Sequence, residues 1–180
     1  MSDALLAAPS LLGYKLVHHS PEGVTSGYIV ETEAYTMDDP ASHAHRGETL
    51  RNQPMFQEAG TIYVYFTYGM HFCVNIVTGE KGHGQAVLIR ALEPIEGIDI
   101  MMKHRRLEDI NNLTNGPAKL VQAMGINREH NGIVINEGPL SLEPGIKPKE
   151  IVQTTRIGIK KAVEQPWRFY IADNPYVSKQ

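Results

Sequence analysis

Cysteine and long apolar segments are what this sequence lacks. Cys73 is the single cysteine among 180 residues, and this excludes a disulfide framework and a metal site built from several cysteines. No apolar stretch approaches the ~18 residues that a membrane-spanning helix needs. The N-terminal segment has Pro9 in its middle and no basic residues before it. We therefore expect a protein that is neither exported nor anchored to a membrane, in a reducing cytoplasmic compartment.

Several catalytic motifs are also missing. The sequence contains no phosphate-binding glycine loop, no dinucleotide fingerprint and no GxSxG elbow. Lysine does not occur between Lys15 and Lys81, so the segment between them offers no amine for a covalent imine. These absences leave water as the nucleophile for chemistry in that segment, and we expect no cofactor.

An excess of basic residues is absent as well. The formal net charge is −3, from 17 Lys and Arg and 20 Asp and Glu. Proteins that bind nucleic acids usually carry a basic surface. Only residues 147–180 are locally positive, with seven basic and three acidic side chains. Binding to phosphates would therefore depend on a few placed residues and be weak and sensitive to salt.

The composition, with 42% hydrophobic and 21% charged residues, is typical of a globular protein. We expect one domain over residues 1–180 and a monomer. Apolar periodicity and turn residues predict an α+β fold, in which a few helices pack on a largely antiparallel sheet. The predicted helices are 2–8, 97–106 and 115–124, and the predicted strands are 11–17, 27–35, two strands within 61–79 around a bend at Tyr68 and Gly69, 85–94, 133–135, 140–142, 151–159 and 167–171.

The stretch GYIVETEAY at 27–35 is the strand around which we expect a site. With a period of two, Ile29, Glu31, Glu33 and Tyr35 share one face, and the other face is mostly apolar. Two carboxylates ~7 Å apart and an aromatic ring suit the wall of a site. An ordinary solvent-exposed strand face is the alternative that this stretch leaves open.

Arg90 stands alone in QAVLIRALEP at 85–94, which otherwise predicts a central strand with two apolar faces. A buried guanidinium needs an acidic partner, because an unpaired buried charge is costly. Glu33 and Arg90 could pair and hold a water between them, as a general base and its orienting group do. A structural salt bridge is the alternative.

Aromatic and histidine side chains lie near the same segments. Tyr35, Tyr63, Tyr65 and Tyr68 could sandwich a planar ligand such as a nucleobase, although simple packing explains tyrosines in strands equally well. Tyr68 precedes a glycine at the predicted bend and would point outward. A metal site at His43, His45 and Glu33 is disfavoured, because the spacing fits no usual zinc pattern and the segment offers no further ligands.

Motifs in series along about 11–177 closely resemble the alkyladenine (3-methyladenine) DNA glycosylase family. They are VETEAY (30–35), ASH (41–43), RN..MF (51–56), GTIYVYFTYGM (60–70), CVN (73–75), LIRALEP (88–94), NGPAKL (115–120), RIGI (156–159) and RFY (168–170). The resemblance implies a barrel like the C-terminal domain of formyltransferases. It also implies a bacterial-type, nucleoid-associated protein whose partner is double-stranded DNA containing damaged purines.

The activity that this resemblance implies is metal-free hydrolysis of an N-glycosidic bond without a lyase step. The damaged purine, such as 3-methyladenine, 7-methylguanine, hypoxanthine or ethenoadenine, is flipped out of the duplex, and an abasic site remains. Mapped by motif, Glu33 is the base that activates water. Arg90 and the backbone carbonyl of Ile157 help to hold that water.

The resemblance also implies roles for the residues around the base. Tyr35, His43 and Tyr65 line the base pocket. Tyr68 intercalates into the gap left by the extruded nucleotide, and Asn75 crowds the exocyclic amine of normal guanine. Three features depart from the family pattern or from typical DNA binders: the short lead before Leu11, His71 in place of an aromatic ring, and the acidic charge balance.

Two other functions are compatible with these motifs. One is a catalytically silent module of the same fold that binds lesions. The other is an enzyme of the formyltransferase-type barrel that acts on a small molecule and does not need DNA.

Overall fold

Antiparallel strands dominate this computed structural model, which describes residues 3–67 and 71–179. Within those ranges eight strands form one sheet and three α-helices pack against it, which confirms the α+β class. None of these helices is long and apolar enough to cross a bilayer. The strands are β1 (Lys15–Ser20), β2 (Gly23–Tyr35), β3 (Ile62–Thr67), β4 (His71–Val77), β5 (Ala86–Glu96), β6 (Leu140–Glu143), β7 (Ile151–Thr154) and β8 (Arg168–Ile171); the helices are α1 (Ala4–Ser10), α2 (Ile98–Arg105) and α3 (Pro117–Met124).

β2 is the central element of the sheet. It pairs with β5 along one edge, and with β1 and then β8 along the other. The main path of the sheet runs β3-β4-β5-β2-β1-β6, and β7 joins through β8. β1 and β2 pair antiparallel, and so do β3 and β4, the two strands predicted within 61–79. The predicted bend at Tyr68 and Gly69 lies outside the described residues.

Residues 29–34 of β2 are completely buried. Helix α1 covers this part of the strand, where the Thr32 hydroxyl donates to the carbonyl of Ala8 at 2.9 Å. The pairing of β2 with β5 shifts register around Ile29 and Glu31, which indicates bulges. Glu31 and Glu33 still share a face, as predicted, because both contact Arg90 of β5. The alternative of an exposed acidic face is therefore wrong.

The segment 36–60 packs through Met55 and Phe56. Both side chains are buried in a small apolar cluster that is separate from the main core. Asn52 organises the backbone of the segment, since its amide donates to the carbonyls of His43 at 2.8 Å and Gly47 at 3.0 Å. This long connection is thereby held as one wall of the site.

The predicted strand 11–17 is wrong at its start. Residues 11–13 form a turn after α1, and β1 begins at Lys15. Gly13 explains the difference, because its φ of +85° does not belong to an extended strand. The predicted helices 97–106 and 115–124 are found as α2 and α3.

Two strands predicted in the C-terminal part of the chain differ from the structure. Instead of a strand at 133–135 there is an isolated bridge between Thr61 and Val134, and Asn136 follows with a φ of +70°. The predicted strand 151–159 ends at Thr154, and Gly158 has a φ of +77°. Alternating apolar residues alone therefore overestimated both strands; a left-handed residue follows the first range at Asn136 and another interrupts the second range at Gly158.

Candidate active site

A pocket of about 500 Å³ opens beside β2, between the β3–β4 hairpin, β5 and two connecting segments. Its volume lies within the range of small-molecule sites, roughly 300–1,000 Å³. Six of the site residues predicted from the sequence line it: Tyr35, His43, Tyr65, Asn75, Arg90 and Ile157. Tyr68, the predicted intercalating residue, lies outside the part of the chain that the structure describes.

Glu33 lies directly behind the wall of this pocket and is fully buried. Its Oε1 accepts a hydrogen bond from the Ile157 amide at 2.8 Å and lies 3.3 Å from Nη1 of Arg90. Its Oε2 accepts from the Tyr35 hydroxyl at 2.8 Å. All three donors belong to residues that line the pocket. The carboxylate is therefore held by the same residues that would contact a ligand.

The contact of Ile157 differs from the expected one. The resemblance assigned its backbone carbonyl to the holding of a water, whereas the structure places its amide N–H on Glu33. The amide follows Arg156, whose buried side chain fixes the chain at this point. The role of the carbonyl stays a prediction.

Arg90 has two acidic partners rather than one. Its Nε donates to Glu31 at 3.2 Å, while Nη1 faces Glu33. Burial alone lowers the pKa of Arg90, but the carboxylates of Glu33 and Glu31 outweigh it and the net pKa is raised. The guanidinium thus remains charged at the inner end of the pocket.

Glu31 binds more donors than Glu33 does. Besides Arg90, it accepts hydrogen bonds from Nη1 of Arg168 at 2.9 Å and from the Ser178 hydroxyl and amide at 2.9 and 2.8 Å. Sequence reasoning did not assign partners to Glu31. Arg168 lies in the RFY motif, and a buried arginine on a strand needs an acidic partner, as Arg90 does. This argument could have predicted an acid beside Arg168.

The aromatic wall consists of Tyr63, Tyr65 and His43. The ring centroids of the two tyrosines are 5.5 Å apart, and His43 meets Tyr65 edge-on at 4.5 Å. The Tyr63 hydroxyl lies 3.0 Å from Nδ1 of His43. Tyr63 was considered from its sequence position but was not assigned to the site.

Burial keeps these groups uncharged. It lowers the pKa of His43, and the Arg51 cation lowers that pKa further. It raises the pKa of Tyr63 to about 12. It raises the pKa of Tyr65 and of the Cys73 thiol as well. The wall is therefore a neutral aromatic surface that faces the Arg90 cation.

Asn75 is held in a fixed orientation at this wall. Its side-chain amide donates to the carbonyl of Tyr63 at 3.1 Å, and only 4% of the residue is exposed. Among residues 3–67 and 71–179, no three His, Cys, Asp or Glu side chains come together as a metal ligand set. His43 is engaged with Tyr63 rather than with His45.

Comparisons with known proteins agree with this site. Residues 1–175 match the family model described as methylpurine-DNA glycosylase. Relatives named as candidate 3-methyladenine DNA glycosylases include one from Methanoculleus marisnigri, 49% identical over 99% of this chain and 95% of the relative. Others come from Francisella tularensis subsp. tularensis (50% identical; 97% and 93% covered) and Prosthecochloris aestuarii (52%; 97% and 86%).

Proposed function

This chain belongs to the methylpurine-DNA glycosylase family, and from that premise we propose that it removes damaged purines from double-stranded DNA. The proposed reaction hydrolyses the N-glycosidic bond of an everted 3-methyladenine, 7-methylguanine, hypoxanthine or ethenoadenine and leaves an abasic site. The observation that carries the proposal is the fully buried Glu33 carboxylate, bound by three groups that line an aromatic pocket.

The pocket suits an everted purine. Extrusion of a base costs a few kcal/mol, and the cost is lowest for a damaged, poorly paired base. Tyr65 and His43 offer a neutral aromatic surface, against which an electron-poor alkylated purine gains stacking energy. Asn75 is held by Tyr63 and is proposed to crowd the amine of normal guanine. The proposed intercalation of Tyr68 fills the vacated stack.

Glu33 is proposed as the general base. A carboxylate has about four lone-pair sites. Ile157 and Tyr35 donate one hydrogen bond to each oxygen of Glu33, and Nη1 of Arg90 lies 3.3 Å from Oε1 as an ion pair, so a site remains on Oε2. The remaining site can accept a proton from water. As the C1′–N bond breaks, its electron pair leaves with the purine, the water oxygen bonds to C1′ and its proton passes to Glu33. The negative carboxylate also stabilises the oxocarbenium-like transition state.

The mouth of the pocket suits a phosphate backbone. Lys160 and Lys161 are exposed and line the pocket together with Arg90, and the described lining residues include no Asp or Glu. A local excess of positive charge therefore faces the proposed DNA, although the whole chain is acidic. We propose that the protein acts as a monomer, with one glycosylase domain over residues 1–180 and no lyase step.

The experiment combines base release and binding on one substrate. Wild-type protein is incubated with a duplex carrying one hypoxanthine, and free base and abasic sites are quantified; binding to abasic-site duplex is measured by gel shift. We expect release of free hypoxanthine without strand cleavage. Binding without release would instead indicate a catalytically silent lesion-binding module. If the protein shows no binding and no release, with hypoxanthine DNA and also with 3-methyladenine DNA, the proposal is contradicted and a small-molecule enzyme is favoured.

A further inference from the structure

Arg156 lies behind the wall of the pocket and is bound to two neighbouring segments. Its guanidinium pairs with both carboxylate oxygens of Asp39, one of them at 3.0 Å, and Nη1 also donates to the carbonyl of Ala34 at 3.0 Å. Both side chains of the ion pair are fully buried. One side chain thus joins the end of β2 to the segment that leads to His43.

The same guanidinium stacks on aromatic rings. Its central carbon lies 4.7 Å from the centroid of Tyr35 and 5.0 Å from that of Trp167. A planar arginine can stack on a ring while its edge forms directed hydrogen bonds, and lysine cannot do both. The position of the Tyr35 ring is therefore coupled to the Asp39–Arg156 pair.

Both contacts lead to Glu33. The Tyr35 hydroxyl donates to Oε2 of Glu33, and the amide of Ile157, the residue after Arg156, donates to Oε1. Two of the three donors on the proposed general base are thus placed by Arg156, one through its side chain and one through its backbone.

Stability is a weak explanation for this ion pair. Burial removes both charges from water, so an apolar replacement of similar volume is often equally stable or better. Placement of donors requires directed bonds instead. We propose that Arg156, together with Asp39, is a positioning residue that sets the geometry of Glu33; the inference rests on the proposed glycosylase function.

The test separates rate from binding. Arg156→Lys keeps the charge but loses the bidentate bond and the stack, and Asp39→Asn is nearly isosteric. Excision of hypoxanthine is followed in single turnover with saturating enzyme, and lesion binding is titrated separately. We expect the saturated rate constant to fall about 10- to 100-fold in R156K, because small misplacements of reacting groups have effects of this size. In D39N we expect a decrease of about tenfold, with lesion binding within about threefold of wild type in both variants.

A merely structural role predicts a different result. A partly unfolded variant needs more protein to reach saturation, but its folded fraction reacts at the wild-type rate. A saturated rate constant within twofold of wild type in D39N and in any folded R156K would overturn the inference. The double variant provides a second check, because residues that act as a unit give non-additive losses. An inactive wild-type protein would instead contradict the proposed function itself.

Discussion

Two carboxylates on β2, Glu31 and Glu33, share one arginine but have different surroundings. Glu31 accepts four hydrogen bonds from Arg90, Arg168 and Ser178. Glu33 meets three donors, all from residues that line the pocket. Among the described residues, Oε2 of each acid accepts one hydrogen bond, from the Ser178 amide in Glu31 and from the Tyr35 hydroxyl in Glu33. Arg168 and Ser178 are not among the described residues that line the pocket, whereas Tyr35 is. The difference teaches that donors drawn from the wall of a pocket, rather than the number of donors, distinguish a candidate base from a structural acid.

The largest expected effect is the loss of folding free energy when Glu31, the acid with more hydrogen bonds, is removed. Glu31→Ala leaves the side chains of Arg90 and Arg168 buried with too little negative charge nearby, and loss of one partner of a buried pair costs about 3–5 kcal/mol. Urea unfolding measures the free energy of unfolding of the wild type and of each variant. Glu143→Ala is the matched control, since its ion pair with Lys15 is partly exposed and contributes about 0–1 kcal/mol. Equal losses of unfolding free energy in the two variants would contradict the structural role of Glu31.

Tyr35→Phe tests the donor set of Glu33. The ring and its stack on Arg156 remain, but the hydroxyl that donates to Oε2 is lost. We expect the single-turnover excision rate to fall about tenfold, because the carboxylate is held less firmly, while lesion binding persists. Tyr14→Phe, at a half-exposed residue outside the pocket, serves as control. A wild-type rate in Tyr35→Phe would show that this donor does not matter.

Asn75→Ala tests whether the pocket beside Glu33 excludes normal guanine. Removal of the amide that Tyr63 holds leaves room for the guanine amine, and steric discrimination of this kind is worth about 1–3 kcal/mol. Release of guanine from undamaged duplex is the measurement, with Asn111→Ala, an exposed residue, as control. If guanine release stays undetectable in Asn75→Ala, another group excludes guanine.

The double variant Lys160→Gln and Lys161→Gln tests whether DNA approaches the side of the molecule on which Glu33 lies. Each lost phosphate contact lowers the salt dependence of binding by about 0.9 in the log–log slope. We expect a decrease of about 1–2 and a binding loss of a few fold. Lys147→Gln with Lys149→Gln makes the same change in net charge at exposed residues outside the pocket. Identical slopes in the two double variants would place the phosphates elsewhere.

The sequence was informative about local pattern and less so about distant partners. The period of two at 27–35 predicted a shared face for Glu31 and Glu33, and the lone charge of Arg90 predicted an acid beside it; both are confirmed. Periodicity could not distinguish the two acids. Arg168 and Ser178, which donate to Glu31, are 137 and 147 residues away along the chain, so only the folded protein brings them together.

The same limit applies to the Asp39–Arg156 pair, which spans 117 residues. Asp39 lies in an aperiodic segment, and Arg156 lies in what the alternation of 151–159 presented as a continuous strand. The backbone turns at this point, with Gly158 in the left-handed region, and such turns depend on tertiary packing as well as on residue type. The intercalation predicted for Tyr68 remains a prediction, because that residue lies outside the described ranges.

The most direct test compares single-turnover release of hypoxanthine by wild type, Glu33→Gln and the control Glu150→Gln, an exposed acid outside the pocket. Glutamine preserves the shape of Glu33 but cannot accept the proton of water. We predict a loss on the order of 10³-fold in Glu33→Gln, typical of a removed general base. Lesion binding should stay within about threefold, and the control should react at the wild-type rate. Release by Glu33→Gln within tenfold of wild type would contradict the account.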